Sequence, residues 1–198
     1  MTDQPANCSG SSANRAALRR AMIAARLAIP ADVHQRASAA ILGHLSGFLG
    51  SQQAGGVGFC WPIRAEVDCR PLIRRLLVAG WRAAMPTVVA ADAPMVFRAW
   101  SPGTPMTTDR HGIPIPQSPE VEVPDVLLLP VVGFDAAGYR LGYGGGYFDR
   151  TLAACTSRPL TIGVGFDLCR VESIEPAAHD IPLDGMATES GIRRFNPL

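Results

Sequence analysis

The sequence predicts an α/β fold: an open, mainly parallel sheet with helices on both faces. Three observations carry that expectation. Stretches with helical spacing alternate with short apolar runs, the order expected of strand–helix–strand units. The run Val126 to Leu129 is wholly apolar, ends at Pro130 and is followed by a turn, a glycine loop and a helix start. A short apolar run bounded in this way suits a strand buried on both faces. Finally, 198 residues with 47% hydrophobic content suffice for one domain with its own core. We assign that domain to residues 13–198 and read residues 1–12 as a disordered polar tail.

The charge balance excludes several function classes. A net charge of +1 offers no broad basic surface for nucleic acid or anionic lipid. The five cysteines are odd in number, scattered, and form no CxxC, so reduced thiols in a cytoplasm fit better than disulfides or a zinc site. No apolar run reaches membrane-spanning length, and the N-terminal residues show no signal-peptide core.

Taken in order, Ser12 can cap a helix from about Ala13 to Leu27, ending before Pro30. Arg15, Arg19 and Arg26 fall within about 40° of one another on its wheel. They form either a solvated face or an anion contact. The second reading gains from the two arginines near the helix start, where the macrodipole disfavours cations. A second helix, about Ala31 to Leu49, repeats Val33, Ala37, Ile41, Leu45 and Phe48 at helical spacing. His34 and His44 beside it lack carboxylate or cysteine partners at ligand spacing and read as packing or surface residues. Gly56 to Cys60 is a short strand. The loop Trp61 to Asp68 leads into a helix capped by Asp68 and stopped by Gly80. Strands follow at about Arg82 to Met85 and Met95 to Trp100. The proline-rich run from Pro102 to Pro124 reads as a long irregular connection, of the kind that is often functional or lid-like. After the central strand, a helix spans about Tyr147 to Ala154 and a strand Leu160 to Val164.

Chemistry concentrates between Asp135 and Arg150. Four glycines fall in the five positions Gly142 to Gly146, just before a helix start, so backbone N–H groups can approach an anion closely. Tyr147 stands where a dinucleotide fingerprint needs its third glycine, and the chain has no lysine for a P-loop. A glycine-rich surface turn with no ligand is the alternative. Arg140, Asp149 and Arg150 favour a phosphate clamp with a magnesium ligand.

Phe134-Asp135-x-x-Gly138-x-Arg140-Leu141-Gly142-x-Gly144-x-Gly146-Tyr147-Phe148-Asp149-Arg150 resembles the signature of the 5-formyltetrahydrofolate cyclo-ligase family, also called methenyltetrahydrofolate synthetases. The similarity extends over about Arg15 to Gly191. It implies a three-layer α/β fold and ATP-dependent closure of 5-formyltetrahydrofolate to 5,10-methenyltetrahydrofolate, releasing ADP and phosphate. By resemblance, ATP is bound by Arg15-Ala16-Ala17-Leu18-Arg19 and by Arg140-Leu141-Gly142-Tyr143-Gly144-Gly145-Gly146-Tyr147-Phe148. Folate is held by Trp61 and Glu66 together with Tyr143, Gly144, Gly145, Gly146 and Tyr147. Asp149 and Asp180 would hold Mg²⁺, and Arg140, Tyr147 and Asp149 would serve catalysis. Three positions depart from the pattern: Arg15 replaces a lysine, Ile115 a glutamate and Cys169 a glutamine.

Read without the resemblance, Trp61 could simply pack, Glu66 could be solvated, and His179-Asp180 could be a turn. Cys169 lacks a local base and reads as a buried small residue rather than a nucleophile. The expected partners are small molecules, with no nucleic acid and no membrane, and the chain is expected as a monomer or weak homodimer. A family relative that binds nucleotide or folate without turnover is the alternative reading. A sugar-phosphate isomerase or CoA-transferase type of enzyme would need an acid–base carboxylate that the sequence does not place.

Overall fold

The computed structural model describes residues 8–195. Its helices are α1 (Cys8–Leu27), α2 (Ala31–Gly50), α3 (Arg70–Val78) and α4 (Tyr147–Ala154). The strands are β1 (Gly56–Gly58), β2 (Arg82–Thr87), β3 (Val96–Ala99), β4 (Met106–Thr108), β5 (Pro114–Pro116) and β6 (Glu120–Val121). There follow β7 (Val126–Pro130), β8 (Gly133–Phe134), β9 (Arg140–Leu141), β10 (Leu160–Val164), β11 (Gly185–Thr188) and β12 (Gly191–Arg194). A short 3₁₀ turn covers Asp167–Cys169.

Eight strands form one sheet in the order β12-β11-β10-β7-β1-β2-β3-β6. The central pairings β2–β1, β1–β7, β7–β10 and β10–β11 are parallel, and the outer ones are antiparallel. The chain winds from β1 out through β2 and β3, returns to β7 on the other side of β1, and continues outward through β10 and β11. Strand order therefore reverses between β1 and β7. In open α/β sheets ligands bind beyond the carboxyl ends of the strands at such a point.

β7 shows why the sheet is covered on both sides. Side chains alternate across a strand. Val126 and Leu128 enter a core with Ile41, Leu45 and Leu49 of α2 and with Leu72, Ile73 and Leu76 of α3. Leu127 and Leu129 enter the opposite core, with Leu152 of α4, Phe134 and Met186. Each of these fully buried leucines contributes about 1.5–3 kcal/mol relative to an exposed one. Helix α1 lies elsewhere: Leu18, Met22 and Ile23 pack on Val132, Leu141 and Ile174. It therefore covers the hairpin of β8 and β9 beyond the carboxyl end of β7.

Four expectations change. Helix α1 begins at Cys8, so Ser12 lies inside it and residues 8–12 are helix rather than tail; residues 1–7 of the expected tail lie outside the described residues. Arg15 thus falls about two turns into α1, and the macrodipole, which acts within the first turn, no longer argues for an anion there. Asp68 sits one residue ahead of the α3 N-cap, Cys69, and its Oδ1 takes the Arg70 N–H at 3.0 Å. The run 102–124 is not wholly irregular: it contains the β4–β5 hairpin and the edge strand β6. Prolines and threonines hid these short pairings, because extended proline residues carry no periodic apolar signal.

Candidate active site at the reversal of strand order

Three loops meet beyond the carboxyl ends of β1, β7 and β10. The first carries Trp61 to Glu66, the second the β8–β9 hairpin and glycine loop, the third His179 to Pro182. Helix α1 crosses above them and supplies the arginine stripe.

The hairpin is built from Asp135. Its Oδ1 accepts from the N–H groups of Ala137 (3.0 Å) and Tyr139 (3.1 Å), and Oδ2 accepts from Ile174 N–H at 3.3 Å. Such side-chain-to-backbone bonds hold a tight turn. Arg140 leaves this turn buried, donating Nη1 to Ile181 O at 2.6 Å and Nη2 to Asp149 Oδ1 at 2.8 Å. Burial, opposed by Asp149, leaves the Arg140 guanidinium with a lowered pKa. Asp149 stands in the first turn of α4, where a carboxylate suits the macrodipole. Its Oδ1 also accepts from Ile181 N–H at 3.1 Å.

Between them runs the glycine loop. Gly144 has φ +98° and Gly146 φ +62°, left-handed conformations that side chains resist. A Cβ on Gly144 would stand 3.4 Å from the Arg19 guanidinium carbon, so Arg19 lies directly over the loop. Arg19 Nε donates to Gly142 O at 2.6 Å, and Arg150 Nη2 to Gly145 O at 2.5 Å. Burial and the neighbouring Arg15 lower the Arg19 pKa, which marks crowded positive charge. The Tyr147 ring packs close against Gly145, with the Arg150 guanidinium 4.9 Å from its ring centre. Leu141 is buried under the loop and Phe148 packs into the core below it.

At the other end, Tyr143 turns into a buried network. Its hydroxyl donates to Glu66 Oε1 at 2.6 Å and accepts from Arg26 Nη2 at 2.8 Å. Glu66 Oε2 accepts from Ile63 N–H at 3.0 Å. Burial raises the Glu66 pKa, outweighing the bonds from Tyr143 and Ile63 and the Arg26 charge. Burial and Glu66 likewise push the Tyr143 hydroxyl up, so it stays protonated as a donor. Trp61 is half-buried beside α3, with the Arg70 guanidinium 4.1 Å from its ring centre.

The third loop brings Asp180. Arg15 Nη1 donates to Asp180 Oδ2 at 2.7 Å and Nη2 to Oδ1 at 3.4 Å, while Ala177 N–H adds a bond to Oδ2 at 2.7 Å. Burial pushes the Asp180 carboxyl up, but Arg15 and Ala177 N–H more than reverse it and leave it below the usual value. Ala16, Ala17 and Leu18 lie between the two arginines, and Leu18 faces the core. The stripe of Arg15, Arg19 and Arg26 is thus no solvated face: all three side chains are engaged by the loops.

The histidines and cysteines fall outside this chemistry. His34 Nε2 bonds to Ala65 O at 3.0 Å and its ring packs on Phe166. Cys169 is fully buried beneath the hairpin, and burial raises its thiol pKa; burial also lifts Cys69 to about 12. Sequence reasoning missed two residues. Arg26 was visible only as a member of the stripe. Arg110, at the tip of the β4–β5 hairpin, reaches the Tyr147 hydroxyl and had no sequence signal at all.

The model of the 5-formyltetrahydrofolate cyclo-ligase family matches residues 11–189. The 5-formyltetrahydrofolate cyclo-ligase of Escherichia coli (strain K12) is 34% identical over 137 residues, covering 64% of this chain and 74% of that protein. The Mycolicibacterium smegmatis protein of the same name is 28% identical over 187 residues, covering 88% and 93%. The solved structure of Aquifex aeolicus 5,10-methenyltetrahydrofolate synthetase superposes with a TM-score of 0.80 at 28% identity, over 93% of this chain and 94% of that one. With its signature residues gathered at one point of the sheet, this chain belongs to the 5-formyltetrahydrofolate cyclo-ligase family.

Proposed function

We propose that this enzyme closes 5-formyltetrahydrofolate to 5,10-methenyltetrahydrofolate at the expense of ATP, releasing ADP and phosphate. One observation supports the reading above the rest. The cation-ringed glycine loop and the buried carboxyl of Glu66 are joined by a single residue, Tyr143, so an anion and a pterin bound there would be neighbours.

The chemistry follows from the substrate. An N-formyl oxygen is a poor leaving group because amide resonance holds it. Transfer of the terminal phosphoryl group to that oxygen makes it a good one. N10 then attacks the formyl carbon, the C–O bond breaks, and phosphate departs with the former formyl oxygen. Phosphoryl transfer needs mainly positioning and neutralised charge. The loop N–H groups from Gly142 to Phe148 and the guanidinium of Arg19 serve that need, with Arg15 bracing the triphosphate. Arg140 contributes through its buried charge and by holding Asp149. Glu66 orients the pterin, and Tyr143 and Tyr147 shape the formyl pocket, with Trp61 at its margin.

Magnesium would shield the phosphate charges when bound. Among the described residues no group of three or more His, Cys, Asp or Glu converges. Mg²⁺ is usually held by one or two carboxylates plus substrate phosphates, and Asp149 fits that role because its hydrogen bonds fall on Oδ1. Asp180, as placed, is committed to Arg15. Among the described residues no helix is long and apolar enough to cross a membrane, and Cys60, Cys69, Cys155 and Cys169 are free thiols. Both suit the cytoplasmic placement we propose.

Incubating the protein with MgATP and 5-formyltetrahydrofolate should give the methenyl absorbance, and only when ATP is present. Asp149→Ala should lower kcat by about 10²-fold or more, the scale for losing an electrostatic contact to the transition state. A variant with near wild-type kcat and unchanged magnesium dependence overturns the Asp149 assignment; no ATP-dependent signal from the wild type overturns the reaction.

A further inference from the structure

We propose that Arg15 competes with the divalent cation for Asp180, so that this chain completes its metal site only after a nucleotide phosphate has drawn Arg15 away. The inference rests on the nucleotide reading above.

Both oxygens of Asp180 are taken. Arg15 holds them with its two-nitrogen fork and Ala177 N–H adds a third bond. A hard cation reaching the site therefore meets one uncommitted carboxylate oxygen, Asp149 Oδ2, on a carboxylate already paired with the Arg140 guanidinium. That is a poor start for an ion that needs six oxygen ligands.

The two arginine–carboxylate pairs differ in what holds the arginine. Arg140 is buried and also anchored to Ile181 O at 2.6 Å, so it is fixed with Asp149. Arg15 is more exposed than its partner, 20% against 8%, and among the described residues its side-chain hydrogen bonds all go to Asp180. Arg15 also stands close enough to Arg19, which lies over the glycine loop, for its charge to help lower the Arg19 pKa. A phosphate held at that loop offers the fork a bidentate partner of higher charge. Asp180 would stay where it is, because its own N–H donates to Ala177 O at 3.0 Å and Ala177 N–H returns a bond to its carboxylate. Withdrawal of Arg15 thus uncovers a carboxylate already aimed at the space the fork vacates. The fork grips two oxygens where a lysine ammonium offers one point of charge, so the interlock is tighter than a lysine would make it.

Electron paramagnetic resonance of Mn²⁺, titrated into the full chain without nucleotide, tests this directly. Arg15→Met should bind Mn²⁺ about ten-fold tighter than wild type, within the range usual for coupled sites. Arg15→Lys should fall between them, and adding Asp180→Asn to Arg15→Met should abolish the gain. Wild type that binds Mn²⁺ as tightly as Arg15→Met overturns the proposal, as does a gain that survives Asp180→Asn; circular dichroism confirms that each variant is folded. Calorimetry of ADP without metal separates the two readings. If ADP does not bind, the nucleotide reading fails, while the Mn²⁺ comparison, which contains no nucleotide, still reports the competition.

Discussion

The guanidinium of Arg26 donates to Arg64 O at 2.9 Å, to Val131 O at 3.0 Å and to the Tyr143 hydroxyl, and lies 3.7 Å from Glu66 Oε1. One side chain thereby ties α1 to the loop after β1, to the end of β7 and to the glycine loop. The buried Glu66 at its tip has a testable consequence. Its carboxyl is raised by burial, so its contribution to stability is complete below the unfolded value of about 4.3 and is lost as pH rises through the folded one. Glu66→Gln cannot ionise and should escape that loss. Urea unfolding at pH 5 and pH 8 should therefore show the variant gaining on wild type at pH 8. An identical difference at both pH values would mean that Glu66 titrates as an ordinary carboxyl. Of this network, Glu66 and Tyr143 were legible through the family resemblance. Arg26 was not, since a helical wheel shows which residues share a face but not what the face meets.

At the scale of elements, the glycine loop joins chain geometry to binding. Gly144 combines φ +98° with Arg19 at 3.4 Å from where a Cβ would be. Gly144→Ala is expected to lower stability by about 1–3 kcal/mol through backbone strain and to displace Arg19 from above the loop. Thermal unfolding should show the first effect and weaker ADP binding by calorimetry the second. Unchanged ADP affinity in a destabilised variant would mean that the loop and Arg19 do not share a ligand. Helix α2 and strand β7 could be read from the sequence within about a residue, because long or wholly apolar segments carry their own signal. The pairs β4–β5 and β8–β9 and the strands β11 and β12 could not. They are two to four residues long, and pairing between distant neighbours, rather than local pattern, makes them strands.

For the whole molecule, the sheet edges bear on association. One edge, β6, is two residues long with Glu120 on it, and the other, β12, carries Arg193 and Arg194. Short, charged edges resist pairing with another chain, although Val121 of β6 and Val123 beside it are exposed. Among the described residues the other exposed large apolar side chains, such as Leu27, Val78, Val89 and Leu168, lie on separate segments. Sedimentation velocity at micromolar concentration should show a monomer of 21.0 kDa. A stable dimer at that concentration would overturn this reading of the edges.

The amino-acid order by itself determined the α/β class, the buried central strand, the glycine loop and the family, because each is written in contiguous residues. Folding decided the rest: that strand order reverses between β1 and β7, that Arg26 bridges that reversal, and that Arg15 grips a carboxylate 165 positions away. Such pairings depend on which surfaces the sheet brings together, and no local window of the chain contains both partners.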